Sequence, residues 1–391
     1  MNVRVQKEHV IEGLQKAASI LPTKSGAAYL RSIWLKAEEN TLAIMSTDTS
    51  LEFCGSYTAE VESQGLVGVQ GRAFVDLLSK LPAGTISLTL DADNNVLRVE
   101  QGRRKYKIPT NDPVWFQNFS DFPSDGAVMW SGDFLQDILE RITFCISDED
   151  GAAAIACLFM KPIAAQSADG PHNRIETCGL NGHQFALMGF MNDELHNKLP
   201  ADGILINKKY LGDLKKWLGG DEIELNMTDK RLYLRTGDGS ETFSLPLTNS
   251  AYPDYMNFMA KLSSPDVSTL KLNRKDCMDA LTRLQIFHSD NNRCAYLHLA
   301  ANEVTMTAKG QETGSASEYL EVVYEGELTR IAFPTKNLID IMNHFQSAEL
   351  TLTMTGGEGP CGIAGTDDPE YTVILMPMKI TDETYYSEEE A

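Results

Sequence analysis

Apolar residues recur along this chain with the 3.6-residue period of a helix in six places, and strand-like alternation fills the stretches between them. Three of the helical stretches follow one pattern: a short strand-like run, a polar step, then the helical period. They are VRVQKEHVIEGLQKAASI (3–20), VMWSGDFLQDILERITFC (128–145) and LKLNRKDCMDALTRLQIF (270–287). Aligning Val5, Trp130 and Leu272 places Val10, Leu135 and Cys277 in one column. Leu14, Leu139 and Leu281 form the next, and Ala17, Ile142 and Leu284 a third. Apolar positions at i, i+4 and i+7 mark one buried helix stripe.

A second triplet has its own offset: VGVQGRAFVDLLSKL (67–81), ILINKKYLGDLKKWL (204–218) and RIAFPTKNLIDIMNHF (330–345). Aligning Val69, Ile206 and Phe333 brings Phe74, Leu211 and Leu338 together, then Leu77, Leu214 and Ile341, then Leu81, Leu218 and Phe345. TISLTL, EIELNM and AELTLTM follow these helices, and SIWLKA, TLAIMST, NVLRVE, RLYLRT, AYLHLA and EVTMTA alternate as strands do. A unit of about 125–140 residues, three times over, is too long for a solenoid repeat and suits a whole domain. The expected fold class is α+β, with two helices on one face of antiparallel sheet in each domain. Turn-rich DFPSD (121–125) and LSSPD (262–266) place the boundaries, giving domains 1–125, 126–263 and 264–380 and an acidic tail 381–391.

Composition adds little to this picture except by exclusion. Hydrophobic content of 42% and charged content of 23% rule out a disordered chain or a coiled-coil rod. No apolar run approaches ~18 residues, which argues against a membrane span. The opening MNVRVQKEHV lacks the apolar core of a signal peptide, so a cytoplasmic location is expected. Seven scattered cysteines without a CxxC pair read as reduced core thiols, not as a metal site.

The net charge of −21 argues against nucleic acid until its distribution is considered. The six helical segments hold 13 basic and 10 acidic residues, and the rest of the chain holds 21 and 45. If the helices share one surface, that surface is mildly cationic inside an anionic body. The charges also follow the repeat. Glu12, Asp137 and Asp279 share a column, as do Lys16, Arg141 and Arg283; Arg72, Lys209 and Lys336 share another, as do Asp76, Asp213 and Asp340. Taken singly these read as i,i+4 pairs on solvated helix faces.

Catalytic chemistry is not legible. GEGPCG (357–362) matches GxGxxG literally, but Pro360 interrupts it and the strand-like YTVILM follows, so a turn is the better reading. His183 in NGHQFA has no evident Asp, Cys or Ser partner, and Asp367–Asp368 reads as loop solvation. No constellation for nucleophilic, metal or acid–base catalysis emerges, so neither a catalytic site nor a cofactor or metal is expected.

The repeat, the cationic helices, and a set of landmarks together resemble the bacterial sliding-clamp family, the β subunits of replicative DNA polymerase III. The landmarks are the opening VRVQKEHVIEGLQKA, STD (46–48), DFP (121–123), NGHQFA (181–186), YPDY (252–255) and MPMKI (376–380). The family pattern near the fourth is usually T-D-G-H-R-L, from which Leu180, Asn181, Gln184 and Phe185 depart. The resemblance covers Met1 to Ile380; most members end where TDETYYSEEEA begins here.

The resemblance implies a non-catalytic processivity factor: a head-to-tail homodimer encircling double-stranded DNA without sequence preference. Its partners would be the polymerase α subunit, the clamp loader and other proteins bearing a Gln-Leu-x-Leu-Phe-like peptide. DNA-facing residues would include Lys24, Arg72, Lys209 and Lys216. The dimer seam would bring Tyr106 and Ile108 of one chain to Ile286 and Phe287 of the other. The peptide pocket, between the second and third domains, would use Leu180, Gly182, His183, Phe185, Pro253, Phe258, Ile374, Leu375, Met376, Pro377 and Met378. Tyr385 and Tyr386 of the tail are close enough in sequence to fold back over it. The alternative is a peptide-binding scaffold of the same fold that never encircles DNA.

Overall fold

The computed structural model describes residues 1–23, 28–149, 153–167, 170–289, 292–310 and 312–380. Lys24 and the tail with Tyr385 and Tyr386 lie outside them. The first repeat runs β1 (Asn2–Gln6), α1 (Lys7–Ser19), β2 (Ser32–Glu38), β3 (Thr41–Thr47), β4 (Glu52–Thr58), β5 (Glu60–Ser63), β6 (Gly65–Gln70), α2 (Gly71–Lys80), β7 (Thr85–Asp91), β8 (Val96–Gln101) and β9 (Arg104–Asn111). The second runs β10 (Val128–Ser131), α3 (Gly132–Thr143), β11 (Cys157–Ser167), β12 (Gly170–Leu180), β13 (Gln184–Met191), α4 (Asp193–Lys198), β14 (Ile204–Asn207), α5 (Lys208–Trp217), β15 (Glu222–Met227), β16 (Arg231–Thr236) and β17 (Glu241–Pro246), before α6 (Met256–Leu262). The third is β18 (Ser268–Asn273), α7 (Arg274–Leu284), β19 (Cys294–Ala300), β20 (Glu303–Gly310), β21 (Gly314–Glu321), β22 (Val323–Glu325), β23 (Arg330–Pro334), α8 (Thr335–Asn343), β24 (Glu349–Met354), β25 (Cys361–Gly365) and β26 (Tyr371–Leu375).

Before α2, α3, α5 and α7 the polar step is a side-chain N-cap, whereas Gln6 before α1 and Pro334 before α8 make no such bond. Gln70, Asn207 and Asn273 accept from Ala73, Lys209 and Asp276 N–H, and Ser131 accepts from Phe134 N–H. Each bond satisfies one of the donors a helix start leaves orphaned. The predicted stripes are buried, with one correction: Leu77 is only half-buried and Leu78 takes its place in the core of α2. One position of phase separates the two: the buried face of α2, which packs chiefly against α1, runs through Phe74 and Leu78, an i,i+4 pair. The short helices α4 and α6 were not legible in the periodicity.

The chain forms two compact units, Met1–Leu139 with Leu205–Asn249, and Glu140–Ile204 with Ser250–Ala391. In the first unit one sheet has the order β10-β15-β16-β17-β4-β3-β2-β6-β9-β8-β7-β1-β5. Within it β17 pairs with β4, a second-repeat strand on a first-repeat strand, with Phe243 opposite Phe53. In the second unit β11-β12-β13-β26-β25-β24-β18-β22 are consecutive, and β13 pairs with β26, again joining successive repeats, with Ala186 opposite Val373. A separate sheet has the order β21-β20-β19-β23. GEGPCG forms the turn into β25, as expected.

Each joint carries an ion pair from the repeat column of Lys16 and Arg141, part-buried at Lys16 and buried at Arg141. Lys16 Nζ meets Glu241 Oε2 at 2.9 Å, and Tyr57 Oη donates to the same carboxylate at 2.7 Å. Gly13 and Gly55 leave room for that tyrosine, since a Cβ on Gly13 would stand 1.7 Å from its hydroxyl. Arg141 donates to Asp368 Oδ1 at 2.7 Å. Asp368 is therefore a buried anchor and not a solvated loop carboxylate: it also accepts from Gln346 and Ser347 N–H and from Ser347 Oγ. Burial by itself would raise its pKa; the hydrogen bonds from Ser347, Arg141 and Gln346 outweigh burial and hold it below the usual value.

Candidate partner groove and nucleic-acid face

The candidate groove lies where β13 begins and β26 ends. Asn181 Oδ1 accepts from His183 and Gln184 N–H at 3.1 and 2.8 Å, closing an Asx turn that needs Gly182 at φ +87°. The turn aims His183 outward and starts β13 with Gln184 opposite Leu375 and Phe185 opposite Ile374. Met376 N–H then donates to His183 O at 2.9 Å, and Met378 N–H to Ala332 O at 2.8 Å. Backbone bonds thus fix Met376-Pro377-Met378 as a strap, with Met376 36% and Met378 44% exposed.

Phe185 is buried and is the hub of the floor. Its ring lies 5.3 Å from that of Tyr255 and 5.0 Å, edge-on, from that of Phe258. Tyr255 Oη donates to Glu176 Oε2 at 2.6 Å. Burial, and then that carboxylate, push the Tyr255 hydroxyl well above its ordinary pKa, so it stays a neutral donor. Met256 is exposed and Phe258 half-buried at the start of α6. Leu180 and Pro377 are half-buried, Pro253 is exposed, and Ile374 and Leu375 are core. The structure therefore brings the predicted groove residues together in one unit, with Ile374 and Leu375 beneath the surface. The sequence reading missed Tyr255 as a wall of the floor, and Gly362, where a Cβ would stand 2.7 Å from Leu262 Cδ1.

The first unit contains the equivalent place, and it is polar. Asp48 Oδ1 accepts from Ser50 and Leu51 N–H, and Thr49 at φ +82° stands where Gly182 does. Counting on from that turn, Glu52 takes the position of Phe185, and it pairs with Ser244 as Phe185 pairs with Ile374. Glu52 accepts from Ser244 Oγ and lies 3.7 Å from the Arg231 guanidinium. An apolar floor thus exists at one joint of the two. The signal was present in the sequence as STD and NGH, two Asx turns at matching distance from Glu52 and Phe185.

Of the predicted DNA-facing cations, the described ones, Arg72, Lys209 and Lys216, are exposed. Arg72 and Lys209 are exposed in the first turns of α2 and α5, as is Lys336 in α8. Arg72 also donates to Leu21 O at 2.8 Å, and Lys209 Nζ sits 4.7 Å over the Tyr210 ring. Lys216 pairs with Asp213 at 2.9 Å while remaining largely exposed. The expected i,i+4 pair Glu12–Lys16 forms at 3.2 Å, but Arg283 grips Glu318 of β21 with two bonds instead. At the candidate seam, Tyr106, Ile108 and Phe287 are half-buried and Ile286 is 69% exposed. Among the described residues no group of three His, Cys, Asp or Glu could hold a metal ion. No helix of the described residues is long and apolar enough to cross a membrane.

Three element series that share two repeat-matched helices, sheets joined edge to edge across repeats, and one apolar groove define the sliding-clamp fold. Solved clamps share it over 97% of this chain. The DNA polymerase sliding clamp of Caulobacter crescentus superposes with a TM-score of 0.88 at 20% identity, covering 97% of this chain and 100% of that one. The Bacillus subtilis clamp gives 0.86 at 17%, with the same coverage. The "Beta sliding clamp" of Vibrio cholerae is 24% identical over 382 residues, 97% of this chain and 100% of its own length. Residues 1–124 match the N-terminal domain of the DNA polymerase III beta subunit, and residues 266–379 match its C-terminal domain. The chain belongs to the DNA polymerase III beta subunit family.

Proposed function

We propose that two copies of this chain close head to tail around duplex DNA and tether the replicative polymerase for processive synthesis, without catalysis of their own. One observation carries the reading. Register places Tyr106, Phe243 and Val373 at the same position of their repeats: each lies two strands from Leu88, Leu225 or Leu352, through Val99, Leu234 or Ile363. Phe243 and Val373 sit in joints, β17 on β4 and β26 on β13. The third strand of the set is β9, and the strand that would receive it is β21. Among the described residues β21 ends its sheet, and β9 pairs on its far side only through Thr110 and Asn111. A joint repeated twice inside one chain and left open at both ends is a heterologous interface, the kind that forms a ring when its rotation closes, and closure by two copies is the reading proposed here.

The same symmetry sets the register of the seam. Leu35–Ile44–Gly55 and Leu297–Met306–Glu318 run in parallel across their strands, which puts Tyr106 opposite Ala316 of the second copy and Arg104 opposite Glu318. Tyr106, Ile108, Ile286 and Phe287 supply its apolar contacts. The domains are 1–125, 126–263 and 264–380. Arg72, Lys209, Lys216 and Lys24 face DNA phosphates, which carry position but no sequence information. The groove around Phe185 and the Met376–Met378 strap receives a Gln-Leu-x-Leu-Phe-like peptide of the polymerase or clamp loader; methionines suit varied apolar anchors. These partners place the protein in the cytoplasm.

The deciding experiment loads the protein with a clamp loader onto nicked circular DNA and then linearises the circle. A topological clamp stays bound in high salt and leaves when the circle is cut. Retention on the linear product, or no dependence on closure, establishes the non-encircling scaffold instead.

A further inference from the structure

We infer that the outer edge of β10 is a strand-addition site for an extended, basic segment of a partner protein with an apolar residue facing Met129. The starting point is again the repeat. Aligning Val5, Trp130 and Leu272 puts Arg4, Met129 and Lys271 in one column, on β1, β10 and β18. In the first repeat β5 covers that edge, pairing Asn2 with Ser63, Val3 with Val61 and Arg4 with Glu60. In the third, β22 covers it, pairing Thr269 with Glu325, Leu270 with Tyr324 and Lys271 with Val323. In the second repeat the chain after β13 turns into α4 instead, and among the described residues β10 ends its sheet.

The bare edge has defined donors and a defined charge. Gly132 N–H bonds to Asp221 O, and β10 runs antiparallel to β15 with Trp130 opposite Ile223. Alternation along such a ladder turns the N–H of Trp130 inward and those of Met129 and Ser131 outward. An exposed edge of this kind is a template for another strand, and native edges usually carry a charge that blocks it. Arg4 and Lys271 are such charges, and Arg4 is neutralised by Glu62 of the covering strand at 2.6 Å. Met129, 45% exposed, removes the block. The surroundings are acidic: Asp125, Asp133, Asp221 and Glu222 are all exposed, with Glu222 opposite Ser131. Acidic strands cover the cationic edges, so the complementary occupant here is apolar at its centre and basic at its flanks.

The test uses the full-length protein and two synthetic peptides, Lys-Val-Leu-Val-Lys and Glu-Val-Leu-Val-Glu, read by residue-resolved amide exchange. Without peptide, the Met129 and Ser131 amides should exchange faster than those of Asn2–Gln6. Millimolar basic peptide should slow them at least about fivefold, and the acidic peptide should not. Met129→Pro deletes an outward donor while sparing the bonds to β15; it should abolish the Ser131 effect with protection across Glu222–Met227 intact. Met129→Lys, which restores the repeat's usual cation, should reverse the preference between the peptides. Slow exchange at Met129 without peptide, equal effects of both peptides, or no effect of either at millimolar concentration would overturn the assignment.

Discussion

Tyr106 and Phe243 occupy the same position in successive repeats, yet Phe243 is buried opposite Phe53 while Tyr106 is only half-buried, on the open flank of β9. In the proposed ring, the strand that would complete the burial of Tyr106 comes from a second copy.

The protein should therefore sediment as a dimer. Replacing Ile286 and Phe287 together, Ile286→Ala and Phe287→Lys, should yield soluble, folded monomers, because an ammonium in an apolar seam costs several kcal/mol of desolvation. An unchanged dimer in dilute sedimentation would count against the seam.

Charge should set the pairing of that seam. In the proposed register Arg104 stands opposite Glu318, which Arg283 of its own chain also holds; Arg104→Glu should weaken dimerisation about tenfold or more at low salt, and adding Glu318→Arg should recover part of it. Dissociation constants across a salt series provide the check; additive effects of the two substitutions would exclude the contact.

Removal of the strap methionines should separate binding from folding. Met376→Ala with Met378→Ala should weaken a Gln-Leu-x-Leu-Phe peptide about tenfold with little change in Tm, since both side chains are substantially exposed. Phe185→Ala should instead cost about 3–5 kcal/mol of stability, as truncation of a buried aromatic does. Isothermal titration beside thermal melts distinguishes these outcomes.

Asp368 should make acid stability depend on one buried pair. Its folded pKa lies below the ordinary 3.8, so its stabilisation is complete above that value and is lost as pH falls through the lower folded pKa. Asp368→Asn should destabilise by about 1–3 kcal/mol at neutral pH, since a neutral amide cannot accept from Arg141, Ser347 and Gln346 as the carboxylate does. The variant should also lose less stability than the parent on acidification below pH 3.8, measured by urea melts.

DNA contact should be weak on open duplexes and vanish at moderate salt, because few cations release few counterions. Lys209→Ala with Lys216→Ala should reduce the salt slope by about two. Strong, salt-resistant binding to short linear duplexes would contradict a clamp that holds by topology.

The periodicity of the chain determined the three element series, the caps and nearly all buried stripes, because amphipathic spacing and capping are local properties. Leu77 and Leu78 show where that ends: one position of phase is decided by what α2 packs against. The landmarks MPMKI and NGHQFA pointed to the groove, but only the pairing of β13 with β26 brings Phe185 over Ile374 and under Tyr255 and Phe258. Asp368 looked solvated because its partner Arg141 is 227 residues away in the chain. The openness of β9, β21 and β10 was equally hidden: a strand's sequence gives its alternation, while its neighbours are chosen by tertiary pairing. Which joints close within one chain, and which edges stay open to another, was decided there.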